Sequence, residues 1–154
     1  MQGVFRELIH RFKCRNLRAA TPVLGQLLGD YLSSHPMPGK IIVPVPLYRR
    51  RLRSRGYNQS TLFAQELSKL TNLPVDSVLL ARRQDALPQA ETSCRQQRPD
   101  NVRGNFEWNS GVSGLEVLLI DDVSTTGSTL SECAAVLKDA GAVSVWGLAL
   151  AKEA

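Results

Sequence analysis

Apolar residues recur at two spacings along this chain, and the alternation between them predicts an α/β fold. Segments with helical spacing alternate with short apolar or β-branched runs typical of strands. Predicted helices cover residues 4–12, 21–34, 58–72 and 128–140, and predicted strands cover residues 41–47, 77–81, 105–108, 116–121 and 143–152. Strands that alternate with helices favour a mostly parallel sheet flanked by helices.

Several residues mark the ends of these elements. Thr21 is a candidate N-cap with Pro22 at the first helical position, where its missing N–H costs nothing. Pro44 and Pro46 cannot donate ladder hydrogen bonds, so the strand that begins at residue 41 should end near them. Asn58 is a candidate cap for the helix that follows.

Residues 82–104 form a polar segment rich in Gln and Arg, which we call the hood segment. It is long for a connection within one domain, and such loops are usually active-site lids or disordered surface segments. Because the segment holds few apolar residues, we expect it to be more mobile than the rest until a ligand binds.

Composition and charge narrow the class of protein. The length of 154 residues indicates a single domain over 1–154, and the apolar fraction of 43% is that of a globular protein. No apolar run approaches the ~20 residues that span a bilayer, and the start does not resemble a signal peptide, so we expect a cytoplasmic protein without membrane insertion. Cys14, Cys94 and Cys133 are widely spaced and predict neither disulfides nor a protein-bound metal; Cys133 should be a core residue.

Positive charge is concentrated in one short segment. The formal net charge is +5, and residues 48–59 (YRRRLRSRGYNQ) hold five arginines and no acid. Such a patch favours anionic partners, including phosphates, nucleic acid or a membrane surface.

The segment VLLIDDVSTTGST (117–129) holds the clearest candidate site. Ligands of open parallel sheets bind beyond the carboxyl ends of strands, where Asp121 and Asp122 are expected. Carboxylates accept hydrogen bonds from vicinal hydroxyls. The hydroxyl groups and glycine that follow, at the start of a helix, suit a phosphate monoester. Together they indicate a ribose 5-phosphate.

Other interpretations of these residues remain open. Thr129 and Glu132 have the spacing of a capping box. An acidic pair after an apolar run also occurs in Walker B strands and receiver domains. The chain has no GxxxxGK[ST] sequence, which excludes the P-loop class, and a receiver domain carries its acidic pair early in the chain.

Segment 117–129 closely resembles the signature of type I phosphoribosyltransferases, which bind phosphoribosyl pyrophosphate. The resemblance implies that Asp121 and Asp122 contact the ribose hydroxyls. It also implies a type I phosphoribosyltransferase-like fold with a flexible hood. The residues implied to hold the 5-phosphate are Ser124, Thr125, Thr126, Gly127, Ser128 and Thr129.

A narrower resemblance covers nearly the whole chain. The segments FRELIHRFK, IIVPVPLYRRRLRSRGYNQS, LPQAETSCRQQRPDNVRGNFE and DDVSTTGSTL are similar to the ComF family of bacteria, also called GntX-like. Members are linked to natural competence and to the use of external DNA as a nutrient. The sequence departs at Cys14, where an aromatic residue is frequent, and at Ser124, where Tyr is common. It also lacks the N-terminal cysteine-rich zinc module of many members.

The resemblance implies roles for two further groups of residues. Pyrophosphate is bound on the loop after the first strand; the residues implied are Leu47, Tyr48, Arg49, Arg50 and Arg51. We expect one or two of the five arginines to touch ligand, and Tyr57, Asn58 and Gln59 are candidates to orient this loop. The hood segment would close over the site and exclude water, with Arg95, Arg98 and Arg103 near the pyrophosphate.

These resemblances predict a phosphoribosyltransferase. It would bind phosphoribosyl pyrophosphate with Mg²⁺ bridging ligand oxygens, and pass the phosphoribosyl group to a nitrogenous acceptor in DNA utilisation or nucleotide salvage. We identify no protein nucleophile and no catalytic residue. The alternative is a non-catalytic protein on the same fold, which senses the ligand or contacts single-stranded DNA or competence proteins. Aromatic residues are too few for an obvious base-stacking surface.

Overall fold

The computed structural model describes residues 17–83 and 102–152, so the predicted helix over 4–12 lies outside the described residues. Ten elements follow one another. They are α1 (Leu17–Ser34), β1 (Ile41–Pro44), α2 (Arg49–Arg55), α3 (Gln59–Thr71), β2 (Leu80–Arg82), β3 (Val102–Arg103), β4 (Phe106–Trp108), β5 (Glu116–Ser124), α4 (Ser128–Asp139) and β6 (Ser144–Lys152). Among the described helices, none has the length and apolar character needed to cross a bilayer.

Three strands form a parallel sheet in the order β1-β5-β6. Ile41 pairs with Val117 in the first ladder, and Glu116 pairs with Ser144 in the second. Each connection between neighbouring strands contains helices, as parallel pairing requires. The predicted α/β architecture with one mostly parallel sheet is therefore confirmed.

Both faces of this sheet are covered. Alternate residues of β5 point to opposite faces. Leu118 and Ile120 pack with α1 and α3, in a core that includes Phe63. Val117 and Leu119 pack with α4 and the second sheet. Burial on both faces explains why β5 reads in the sequence as a continuous apolar run.

The apolar sequence of residues 143–152 predicts a buried strand, but β6 is only partly buried. Within the described part of the chain it pairs with β5 alone and forms the edge of the sheet. Leu148 is buried, whereas 44% of Trp146 is exposed. The prediction of full burial fails because β6 has a neighbouring strand on one side only within the described part of the chain.

The ends of the hood segment are strands rather than loop. β2, β4 and β3 form an antiparallel sheet, in which Arg82 pairs with Phe106 and Arg103 also pairs with Phe106. The prediction of a continuous loop over 82–104 is therefore wrong at both ends. Residues 84–101 lie outside the described residues.

The start of α1 also differs from the prediction. The helix spans Leu17–Ser34, so Pro22 lies inside it and Thr21 is a buried helical residue rather than the N-cap. The helix packs closely on α3. A Cβ added at Gly25 would stand 2.5 Å from the Cβ of Glu66, so the helices approach at a distance that only glycine allows.

Asn58 connects the end of β1 to the start of α3. Its carboxamide oxygen accepts a hydrogen bond from Ser60 N at 3.1 Å, as an N-cap should. Its Nδ2 donates to the carbonyl of Val45 at 2.9 Å. The predicted cap is confirmed, and the same side chain also fixes the chain where it leaves the sheet.

We predict that Asn58→Ala lowers the free energy of unfolding by roughly 1–2 kcal/mol, because it removes a helix cap and leaves the Val45 carbonyl without this donor. Urea denaturation measures the change. Gln65→Ala, at an exposed position of the same helix, is the control and should stay within about 0.5 kcal/mol of the parent. Equal stabilities of the two variants would contradict this role.

Candidate functional site

The candidate site lies where β1 and β5 stop pairing. β1 ends at Pro44, opposite Ile120, and the last backbone bond joins Val45 N to the Ile120 carbonyl at 2.9 Å. β5 continues to Ser124, which pairs with Lys152 of β6. The strand is thus longer than predicted, and Asp121 and Asp122 lie beyond the end of β1 rather than beyond the end of β5.

Asp121 is the buried member of the acidic pair, with 7% of its surface exposed. Its Oδ1 accepts hydrogen bonds from Ser60 Oγ at 3.3 Å and from Asp122 N at 2.9 Å. Burial and, secondarily, the charge of Asp122 raise the pKa of Asp121 from 3.8 to about 6. At neutral pH the carboxylate is ionised, but its burial makes the ionised form less stable because the charge loses hydration.

Asp122 is more accessible than Asp121. It is half-buried, and its Oδ1 accepts a hydrogen bond from Val123 N at 2.8 Å. A carboxylate has further acceptor positions after one such bond. Asp122 is therefore the better placed of the two acids to accept a hydrogen bond from a ligand hydroxyl.

A short bend joins β5 to α4 and carries the hydroxyl residues. Thr125 and Thr126 are exposed. Gly127 has φ +80°, a left-handed conformation that favours glycine. The Thr126 hydroxyl lies 3.0 Å from Ser128 Oγ and accepts from Ser128 N at 3.3 Å.

The amino terminus of α4 has no side-chain cap. Gly127 occupies the N-cap position, so the N-cap residue itself offers no side-chain acceptor to the first N–H groups, of which that of Ser128 makes a long bond of 3.3 Å to the Thr126 hydroxyl. These groups and the helix dipole together attract an anion. Ser124 lies at the end of β5 and is half-buried, as is Thr129 in the first turn of α4. The bend and helix start thus bring together every residue predicted to hold a phosphate.

The capping-box interpretation of Thr129 and Glu132 is wrong. Thr129 lies inside α4 rather than at its N-cap. Glu132 accepts a hydrogen bond from Asn105 Nδ2 at 3.2 Å, which links α4 to the β3–β4 turn. A cap on α4 therefore does not account for these hydroxyl groups.

The segment after β1 starts from the same edge of the sheet. Leu47 and Tyr48 are half-buried in the connection between β1 and α2, and their contact with a pyrophosphate stays a prediction. Arg49, Arg50 and Arg51 were predicted to lie in this loop, but they form the first turn of α2 and are exposed. A run of arginines has good helix propensity, which explains the difference.

The three hood arginines cannot be placed in the site. Arg95 and Arg98 lie outside the described residues. The backbone of Arg103 is in β3, beside Phe106 of β4, and its side chain is not described. Their approach to a pyrophosphate stays a prediction.

Two residues of the site were not singled out by the sequence. Ser60 donates a hydrogen bond to Asp121. In the sequence it has the same helical spacing as Phe63 and Leu67, which are buried. A polar residue on the apolar face of this helix could therefore have indicated a buried polar contact. Arg82 lies two residues after the buried Leu80, on the same face of β2. Its guanidinium stacks 3.7 Å from the centre of the Tyr48 ring.

Cys133 lies close to the acidic pair but is chemically inert. It is fully buried in the core, as predicted. Burial and then the charge of Asp121 raise the pKa of its thiol to about 12. The thiol stays protonated at neutral pH and does not act as a nucleophile.

The sequence is similar to proteins named for competence and DNA use, although no family model matches it. Competence protein F of Haemophilus influenzae is 36% identical over 94% of this chain and 67% of its own length. DNA utilization protein YhgH of Escherichia coli K12 is 36% identical over 92% of this chain and 65% of its own. Competence protein ComFC of Bacillus subtilis is 28% identical, over 90% and 55%. The chain thus spans about two thirds of the length of the first two relatives and less of the third.

Solved structures with a similar fold are type I phosphoribosyltransferase folds. The allosteric regulatory enzyme of purine biosynthesis superposes on 85% of this chain and 25% of its own, with a TM-score of 0.60 and 20% identity. Purine phosphoribosyltransferase from Pyrococcus horikoshii matches over 86% and 73%, with a TM-score of 0.51 and 15% identity. At these identities the likeness confirms the predicted fold alone.

We predict that Asp121→Asn makes the free protein more stable at neutral pH. The folded-state pKa of about 6 lies above the ordinary value of 3.8 for an aspartate, so ionisation costs stability as pH rises through this window. The gain of Asp121→Asn should be near zero below pH 4 and reach up to roughly 3 kcal/mol at pH 7. Urea melts across this range measure it.

Asp30→Asn, at an exposed position of α1, is the control and should show no comparable change with pH. A difference between Asp121→Asn and the parent that stayed constant from pH 4 to pH 7 would refute the raised pKa.

Proposed function

The chain belongs to the competence protein F family, and from this membership and the site we propose that it is a cytoplasmic phosphoribosyltransferase. It binds phosphoribosyl pyrophosphate and transfers the phosphoribosyl group to a nitrogenous acceptor, with release of pyrophosphate. The relatives are named for competence and DNA utilisation. We therefore propose a role in using the products of imported DNA, or more generally in nucleotide salvage.

One observation carries the proposal: two carboxylates near the end of β5 are followed, after one short bend, by a helix start whose N-cap residue is glycine. Asp122 offers accessible acceptors, and Asp121 lies beside it. The bend over 125–127 brings hydroxyls, and the start of α4 brings N–H groups that Gly127 does not cap. A ribose 5-phosphate has hydroxyl donors at one end and an anion at the other, so its chemistry complements both halves.

The connection after β1 supports the pyrophosphate half of the ligand. It begins at the same sheet edge, and α2 carries five exposed arginines directly after Tyr48. Guanidinium groups bind phosphate oxygens through paired N–H donors. In the proposed reaction, negative charge accumulates on the departing pyrophosphate, and arginines at this edge stabilise it without a protein nucleophile.

The residues at this edge fit a divalent cation that is held mainly by the ligand. Among the described residues, no group of three or more His, Cys, Asp or Glu side chains could hold a metal ion. Asp121 and Asp122 alone are a small donor set. Mg²⁺ is typically held by one or two carboxylates plus substrate phosphate oxygens, and bound there it would neutralise part of the pyrophosphate charge.

A second function is favoured by the surface of α2. Five arginines on a helix with no buried residue form a positive patch larger than one pyrophosphate needs. The same fold could then sense a ribose phosphate without catalysis, or contact single-stranded DNA or a competence protein through this patch. Steep dependence of DNA affinity on salt would favour that function.

Release of pyrophosphate decides between the two functions. The protein is incubated with phosphoribosyl pyrophosphate, Mg²⁺ and each of a panel of purine and pyrimidine bases, and pyrophosphate is measured with a coupled enzyme assay. Catalysis requires that pyrophosphate is released in the presence of one particular base and not in its absence. Tight binding of phosphoribosyl pyrophosphate without release for any acceptor would favour the sensing function.

We predict that Asp122→Asn weakens the binding of phosphoribosyl pyrophosphate by roughly 10- to 100-fold, since a hydrogen bond to a charged group contributes about 1.5–3 kcal/mol. Calorimetric titration in the presence of Mg²⁺ measures the affinity. Ser131→Ala, which removes an exposed hydroxyl further along α4, is the matched control and should bind like the parent. Normal binding by Asp122→Asn combined with easier unfolding would mean that the acid is structural.

A further inference from the structure

The arginine-rich helix α2 has no buried face that would hold it against the rest of the protein. All of its residues are at least partly exposed. It has seven residues, and Arg49 and Arg53, like Arg51 and Arg55, face each other one turn apart with equal charge. Helices this short are marginal in water, and repulsion weakens this one further. Its position must therefore be set by what holds its ends.

The amino end is held by a stack of aromatic and guanidinium groups. The guanidinium of Arg82 lies 3.7 Å from the centre of the Tyr48 ring and 5.0 Å from that of Phe106, which is buried. The carbonyl of Tyr48 accepts the first helical hydrogen bond of α2, from Leu52 N at 2.8 Å. The placement of Tyr48 therefore determines where the first turn of α2 begins.

The carboxyl end is held by a weaker arrangement of the same kind. Gly56 ends the helix with φ +78°, and its N–H bonds the Leu52 carbonyl at 2.7 Å. The exposed Arg18 of α1 stacks 4.8 Å from the Tyr57 ring. Arg55 donates to Gln59 at 2.7 Å. Because a cation–π contact strengthens when water is excluded, the contact of Arg82 should dominate that of Arg18.

The surroundings of Arg82 indicate a structural contact rather than direct ligand binding. Its Nε is buried and has no hydrogen-bond partner among the described residues. A solute cannot reach this nitrogen without rearrangement, and the Tyr48 ring stacks on the guanidinium. Among the described residues, the contacts of the cation are with the rings of Tyr48 and Phe106 rather than with a carboxylate.

We propose that Arg82 is a positioning residue, which fixes the arginines of α2 at the ligand edge of the sheet by holding Tyr48. The contact joins β2 of the antiparallel sheet to the connection after β1 of the parallel sheet. The identity of the anion that binds to α2 rests on the proposed function. The dependence of the position of α2 on Arg82 is independent of the proposed function.

The test uses two probes that occupy different halves of the proposed site. Inorganic pyrophosphate reports on α2, and ribose 5-phosphate reports on the acidic pair and the bend before α4. For Arg82→Met and Tyr48→Leu, we expect pyrophosphate affinity to fall roughly tenfold and ribose 5-phosphate affinity to stay within about twofold, by calorimetry. Tyr48→Phe, which keeps the ring, should retain most of the affinity, whereas Arg82→Lys, which keeps the charge but loses the planar guanidinium, should retain only part of it.

Hydrogen exchange provides a readout that needs no ligand. The amides of Leu52 and Gly56, which are hydrogen-bonded within α2, should exchange faster in Arg82→Met, while those of α4 should be unchanged. Arg83→Met is the matched control, because Arg83 is the next residue and its side chain is exposed. It should match the parent in both measurements.

The possible failures are distinguishable. If the parent binds neither probe, the proposed function fails, and hydrogen exchange alone decides the role of Arg82. Unchanged exchange in α2 with unchanged pyrophosphate affinity in Arg82→Met would overturn the positioning role. So would an equal loss of both probes, which would mean general destabilisation, or an equal effect of Arg83→Met, which would mean a simple loss of charge.

Discussion

The end of the hydrogen-bond ladder between β1 and β5 is the constraint on which the site depends. Val45 N still bonds the Ile120 carbonyl, and in a continued parallel ladder the Val45 carbonyl would accept from Asp122 N. Instead, Asn58 donates to that carbonyl, and Asp122 N turns to the carboxylate of Asp121. Because the ladder ends here, β5 extends past its neighbour and presents the acidic pair at an open edge.

A buried carboxylate and a half-buried guanidinium lie near this edge without pairing with each other. Asp121 accepts from Ser60 and Asp122, while Arg82 stacks on the Tyr48 ring. Both act on the thiol of Cys133, whose pKa Asp121 raises and Arg82 lowers, so both charges lie within electrostatic range of one core atom. A carboxylate paired with this guanidinium would have less remaining acceptor capacity. Because Arg82 stacks on Tyr48 instead, the acidic pair keeps its acceptors and Arg82 keeps its structural contact.

The sequence predicted the elements whose pattern is local and missed features set by tertiary contacts. The continuous apolar run of β5, the proline end of β1 and the Asn58 cap could all be read directly. The partial exposure of β6 could not be predicted, because an apolar strand has the same sequence pattern at the centre and at the edge of a sheet. The acidic pair lies at the predicted sheet edge but within β5, and the bond of Asp121 to Ser60, which is 61 residues away, could not be read from the sequence.

Ligand binding and folding stability impose opposite demands on Asp121. A protonated carboxyl is cheaper to bury, and its pKa of about 6 reflects that preference. A ribose hydroxyl that donates to this pair is bound more strongly by the ionised form, because a hydrogen bond to a charged acceptor is stronger than one to a neutral acceptor. At neutral pH the free protein therefore carries a buried charge that lowers its stability. A ligand donor or cation at the edge would restore part of the lost hydration, so the cost of ionising Asp121 falls when the proposed ligand binds. This opposition between charge and stability supports the proposed binding role of the acidic pair.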